Sequence, residues 1–276
     1  MISRLVPARL LVALRWLCCL VPLGLPGFGF AQTGPLQTEE AGTAPARTLL
    51  LETLAQAIAS EPNFQTGHQR ARFDGPTLRL VYSPSDNVEL DLEWVALVAT
   101  PHDPDFGAAQ DAGDVSVRAK LRLLAERGTR PALSARFAVT LPETSFGKGL
   151  GPNTLRMFAQ ALLSKSGGPY AVHLNAGLLI FDEVLRAHEQ RDLLIYGLAI
   201  SRRLGQVSLQ GELAGRAGSG APGADATAEL RLGARGRWHG VDLCVALRRG
   251  LDEADGSWGL LAGIGLTLRR PAPAKL

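Results

Sequence analysis

From residue 48 to residue 269 apolar and polar residues alternate along most of the chain. A period of two marks strands with one apolar and one wetted face. The clearest stretch is 87–100, where Val88, Leu90, Leu92 and Trp94 share one face and Glu89, Asp91 and Glu93 the other. In 114–125, Val115, Val117 and Leu121 oppose Arg118, Lys120 and Arg122; in 130–141, Leu133, Phe137 and Val139 oppose Ser134 and Arg136; in 154–165, Leu155 and Met157 oppose Arg156 and Gln160. The pattern continues through 170–180, with His173 and Asn175 on the polar face, and through 192–204 and 206–216. It then runs through 226–238, where Leu230 and Leu232 oppose Glu229 and Arg231, and through 241–249 and 257–269. With 76–83 and the weakly alternating 48–59, about twelve strands are expected, and no stretch has the spacing of a long amphipathic helix.

The connections define the architecture. Short ones (83–87, 126–130, 166–169, 204–205, 239–240) alternate with longer polar ones (60–75, 101–113, 142–153, 181–191, 217–225, 250–256). This alternation, with an even strand count, predicts an all-β fold: a single transmembrane antiparallel up-and-down β-barrel with short periplasmic turns and long external loops. In lipid every backbone N–H and C=O must pair inside the protein, and a sheet achieves that by closing on itself. A soluble sandwich would turn the same apolar faces inward. Here those faces are mostly Ala, Val and Leu in a chain with only 6% aromatics, which suits lipid contact better than a packed interior. Tyr82, Tyr170 and Trp238 near the short turns, and Phe181 and Trp258 near the long loops, are the expected interfacial aromatics.

Ahead of the barrel, basic residues up to Arg15, an apolar run over 16–25, then Pro26, Gly27 and small residues around Phe30 read as a secretory signal cleaved after Ala31. The expected organisation is a signal peptide at 1–31, a flexible periplasmic leader at 32–47, the barrel at 48–270 and a tail at 271–276. Cys18 and Cys19 fall in the signal, leaving Cys244 without a disulfide partner. Of 29 Lys+Arg against 26 Asp+Glu, Arg4, Arg9 and Arg15 also fall there. The balanced remainder argues against a nucleic-acid partner, which needs a basic patch.

The runs 113–120 (GDVSVRAK), 139–142 (VTLP), 149–153 (GLGPN) and 263–269 (GIGLTLR) carry a resemblance to a known group. In order and spacing they resemble the outer-membrane proteins of the "MetA pathway of phenol degradation" or outer-membrane transporter family, over about residues 87–269. The resemblance implies an exported bacterial outer-membrane channel or transporter for small molecules, hydrophobic or aromatic ones included. The chain departs from the usual outer-membrane pattern in lacking a terminal aromatic residue, which bears on recognition by the barrel-assembly machinery.

The residues most open to a functional role form an expected lumen-lining charge ladder: Glu89, Asp91, Glu93, Arg118, Lys120, Arg122, Arg136, Arg156, Glu229 and Arg231. Opposite charges on neighbouring strands pair directly, so the ladder either stabilises a polar interior or orders a permeating solute. Partners are then the outer-membrane bilayer, a small-molecule solute and the assembly machinery, with no cofactor and no metal. The alternative is a closed-lumen structural or adhesion-type barrel whose external loops bind a ligand or partner. No enzymatic role is expected: His173 has no serine at a matching spacing on its own strand, and a nucleophile needs a placed base. His102, Asp103, Asp105, Asp111 and Asp114 match no calcium-loop spacing, and 149–151 and 217–225 lack the lysine of a phosphate loop.

Overall fold

The computed structural model describes residues 34–182, 189–218 and 226–269; the expected signal segment with its cleavage point after Ala31, and the tail at 271–276, lie outside them. The strands are β1 Thr48–Pro62, β2 Gln69–Ser85, β3 Val88–Val95, β4 Val98–Thr100, β5 Ala109–Asp111, β6 Val115–Leu124, β7 Ala132–Leu141, β8 Arg156–Gly167, β9 Tyr170–Asp182, β10 Gln190–Leu204, β11 Val207–Arg216, β12 Thr227–Trp238, β13 Val241–Gly250 and β14 Trp258–Arg269. All but β4 and β5 form the barrel wall. Each wall strand pairs antiparallel with the next along the chain, and β1 returns to pair with β14, so the sheet is a closed twelve-stranded cylinder.

Every wall strand alternates as its sequence does. Leu80, Leu92, Val117, Leu178 and Leu232 point outward and are exposed, while Glu89, Lys120, Arg136, His173 and Glu212 point inward and are buried. Closure is why the outside can be apolar: no backbone donor or acceptor along the wall needs water. Tyr82, Tyr170 and Trp238 lie outward near the short turns, and Trp94 and Trp258 outward near the long loops. Phe181 is a correction to the expected aromatic set. It has inward parity on β9 and is buried against Leu193, so it belongs to the lumen.

Two boundaries move. The first hairpin is longer than expected, pairing out to Glu61↔Arg70 and Pro62↔Gln69. Beyond the apolar belt the outward positions no longer need to be apolar, so this extension carries no alternation signal. Opposite Ala55 the ladder is irregular at Gly75 (φ 144°), where an added Cβ would lie 2.9 Å from Ala55 Cα, room that only glycine leaves. The expected strand 87–100 divides after Val95. Ala96 N donates to Pro76 O and Gly75 N to Leu97 O, swinging β4 across to pair with Phe73 and Asp74 of β2, with β5 completing a small hairpin.

The expectation of a flexible leader gives way at residues 34–47. This segment runs inside the barrel, entering from the short-turn end beside Gln210 and Arg235 and leaving at Arg47, whose N–H donates to Ser83 O at 2.6 Å.

Candidate functional site

Between those points the leader rises into the lumen and descends again. On the ascending limb, Pro35 O accepts from Arg231, and Glu212 accepts the main-chain N–H groups of Gln37, at 2.9 Å, and Thr38. The descending limb has Ala41 N donating to Ser164 Oγ at 2.8 Å, while Ala41 O accepts from Ser134. Ala44 N donates to Glu89 at 3.1 Å and Ala46 N to Asp86 at 2.7 Å. Small residues make the fit. Ala41 packs with Ala132 and Leu162, and Ala44 with Leu50 and Val81, all fully or almost fully buried.

Near the top of this loop Glu39, 6% exposed, meets a ring of cations. Its carboxylate lies 2.8 Å from Arg136, 3.0 Å from Arg79 and 3.6 Å from Lys120. Asn175 brackets its main-chain N–H and C=O in the amide orientation that satisfies both atoms, its oxygen accepting from Glu39 N at 2.7 Å and its nitrogen donating to Glu39 O at 2.9 Å. The main chain is thereby held as a strand partner would hold it, with the charge paired as well.

The register explains why a carboxylate is needed there. Arg136 of β7 sits opposite Lys120 of β6 on one side and Gln160 of β8 on the other. Like charges facing across strands repel. Lys120 takes Glu89 at 2.8 Å, and no carboxylate other than Glu39 pairs with Arg136 among the described residues.

The expected ladder is largely assembled. Asp91 pairs with Arg118 at 3.4 Å and Arg79 at 2.7 Å, and Glu93 also pairs with Arg118. On the far wall Glu229 pairs with Arg231 and Arg248, and Arg231 approaches Glu212 at 4.0 Å. Two members stand apart. Arg122 sits at the short-turn mouth, donating to Asn87 at 2.9 Å, and Arg156 pairs with Asp114 at the long-loop end. Sequence reading missed Glu39, Arg79, Glu212 and Arg248.

A cavity of about 560 Å³ is lined by leader residues 36–39 and the wall around them. One side carries Arg79, Glu93 and Arg118, the next Phe158, Leu179 and Ile195, and Leu54 and Leu261 complete it. The arrangement offers a small solute both charge and apolar surface. Gly197 of β10 lies behind Thr38, where an added Cβ would collide with Thr38 Oγ1. Gly197→Val should therefore unseat the leader, at a cost of about 1–3 kcal/mol for overpacking. Faster proteolytic cutting within residues 34–47 of the folded protein is the expected result, and cutting at the wild-type rate would contradict it.

His173 faces the lumen with a serine after all, from the neighbouring strand: Ser164 Oγ lies 2.8 Å from His173 Nδ1. Ser164 accepts Ala41 N–H, so its one hydrogen is free for the imidazole, and the pair serves to hold the leader.

The acidic loop residues are also engaged by protein donors. Asp105 pairs with His68, Asp111 with Lys148 and Asp114 with Arg156. Asp103 is buried and receives Asn63 at 2.8 Å, Arg70 at 2.9 Å and the N–H groups of Asp105 at 2.9 Å and Phe106 at 3.1 Å. Burial pushes its carboxyl up, but these donors outweigh it and bring the pKa from 3.8 down to about 2. A lowered carboxylate pKa adds stability that is complete above 3.8 and lost as pH falls through about 2. The Asp105 and Phe106 amides should stay protected from hydrogen exchange until pH drops through that window. Protection already lost above it would refute the assignment.

No family model and no curated protein matches the chain, so the "MetA pathway" resemblance rests on the quoted motifs. Solved structures do match in fold. An outer membrane channel from Pseudomonas putida F1 is 18% identical with a TM-score of 0.64, over 86% of this chain and 100% of that one. The translocator domain of the autotransporter NalP from Neisseria meningitidis is 13% identical with a TM-score of 0.51, over 82% of this chain and 89% of that one. At these identities the likeness is one of fold, and the fold is that of an outer-membrane β-barrel.

Proposed function

We propose that this chain is an outer-membrane channel for small molecules, hydrophobic or aromatic ones included, held shut by its own N-terminal segment. The observation that carries the reading is the leader itself, seated by Glu39 on Arg79, Lys120 and Arg136 and bordering a cavity of mixed polarity. A twelve-stranded wall encloses more room than the small side-chain-filled barrels and less than an open porin, so one short segment is enough to block it. The fold match to the Pseudomonas putida channel supports the same reading.

The test is single-channel conductance in a planar bilayer, comparing the full chain with a variant lacking residues 34–45. The full chain should show rare, small steps and the shortened one frequent, discrete steps. If both are folded and silent, the second reading takes over: a closed-lumen barrel whose loops bind a partner. The charge-paired seat of the leader favours that reading if it never releases.

A further inference from the structure

We propose that one arc of the short-turn rim, spanning β6 to β11, binds the headgroup of an anionic glycerophospholipid. The inference rests on the reading that the apolar belt meets a bilayer. Three short connections meet along this arc: residues 125–131, 168–169 and 205–206. Arg127, Arg130, Arg202 and Arg203 are all exposed there. The arc's one acid, Glu126, is taken up by Lys165 at 2.7 Å and by Ser166 N at 3.0 Å. Arg130 gives a hydrogen bond to the neutral Ala125 O, and Arg202 lies over the Tyr170 ring at 5.6 Å, so neither charge is cancelled by a carboxylate.

Arg202 shares the outward face of β10 with Leu198 and Ile200, and Tyr170 shares that of β9 with Val172 and Leu174, all exposed. The cations therefore stand where the apolar belt ends, and an aromatic ring with an arginine over it marks that border. A phosphodiester at that height would meet the guanidinium groups while its acyl chains lay along Leu124, Leu163 and Val172, which are exposed below it. On the opposite arc Arg235 and Arg237 are both drawn to Asp242, and Asp86 is held by Ala46 N. Free phosphate is also an anion but has nothing to place on the belt, so the lipid is the favoured source.

The test is native mass spectrometry of the full-length mature protein, released from micelles containing equal phosphatidylglycerol and phosphatidylcholine. The wild type should retain phosphatidylglycerol preferentially. Each surface cation near a membrane contributes roughly a fivefold preference, so Arg127→Ser/Arg130→Ser/Arg202→Ser should weaken retention on the order of a hundredfold. Lys148→Ser, at the long-loop end, should leave it unchanged. Equal retention of the two lipids, or a triple variant indistinguishable from wild type, would overturn the proposal. Displacement of the lipid by millimolar inorganic phosphate would overturn the lipid assignment in favour of a simple anion site. The two readings fail separately. A chain that does not insert into vesicles as a heat-modifiable barrel removes the membrane reading and this one together, whereas insertion without lipid preference removes this one alone.

Discussion

Glu39→Gln should turn a quiet barrel into a conducting one. Burial pushes the Glu39 carboxyl up, but Arg136, Arg79 and Lys120 outweigh it and hold it well below the usual carboxylate range, so the group is charged at neutral pH. The substitution removes that charge and little volume. Its cost depends on what the three cations retain. Arg79 keeps Asp91 at 2.7 Å and Lys120 keeps Glu89 at 2.8 Å, whereas Arg136 is left with the Phe158 ring, 5.3 Å away. Breaking a buried pair by deleting one partner costs about 3–5 kcal/mol. With one cation stranded we expect the lower end, about 3 kcal/mol, or roughly a hundredfold loss in occupancy of the seated leader. Open probability in a bilayer recording should rise accordingly. Adding Arg136→Gln removes the stranded charge and should recover part of the closed state, a coupling that a double-mutant cycle reads directly. An unchanged single variant would mean that Glu212 and the serines seat the leader without Glu39.

The second large effect concerns the outside. Leu92 lies midway along β3, points away from the lumen and is 48% exposed. If that face meets the bilayer midplane, Leu92→Arg should destabilise the folded barrel by about 2–4 kcal/mol. Unfolding midpoints in lipid vesicles measure this. Lys120, on the neighbouring strand but of opposite parity, already carries a charge at no such cost because Glu89 faces it. A Leu92→Arg midpoint close to wild type would contradict the assignment of outer and inner faces.

Much of this was legible because the barrel obeys local rules. Side-chain parity follows from the period of two, so Glu89, Asp91, Arg118 and Lys120 could be read as inward charges on neighbouring strands. Their register, Glu89↔Lys120 and Asp91↔Arg118, was not fixed by the chain, because β3 and β6 are joined through the long connection that carries β4 and β5. The leader was not legible, because its structure is not its own. Residues 34–47 have no periodicity and are ordered by side chains far along the chain, such as Glu212 and Ser164. A signal nevertheless existed. Once Arg136 and Lys120 are placed opposite each other across β6 and β7, an anion from outside the wall is required, and Glu39 lies in the unassigned stretch. Phe181 departs from expectation for a simpler reason: it lies near a strand end, where aromatics are often interfacial, but its parity on β9 turns it into the lumen.

The leader also bears on the mechanics of the cylinder. It touches β11 and β12 through Glu212 and Arg231 and the far wall through Arg79, Lys120, Arg136 and Ser164, so it acts as a radial spoke. A hollow sheet flattens easily under lateral pressure because its hydrogen bonds run around the circumference and resist stretching far better than bending. A spoke converts flattening into the breaking of ion pairs. The stiffness of this wall is thus tied to the same residues that fill it, and whatever withdraws the leader also leaves the cylinder softer.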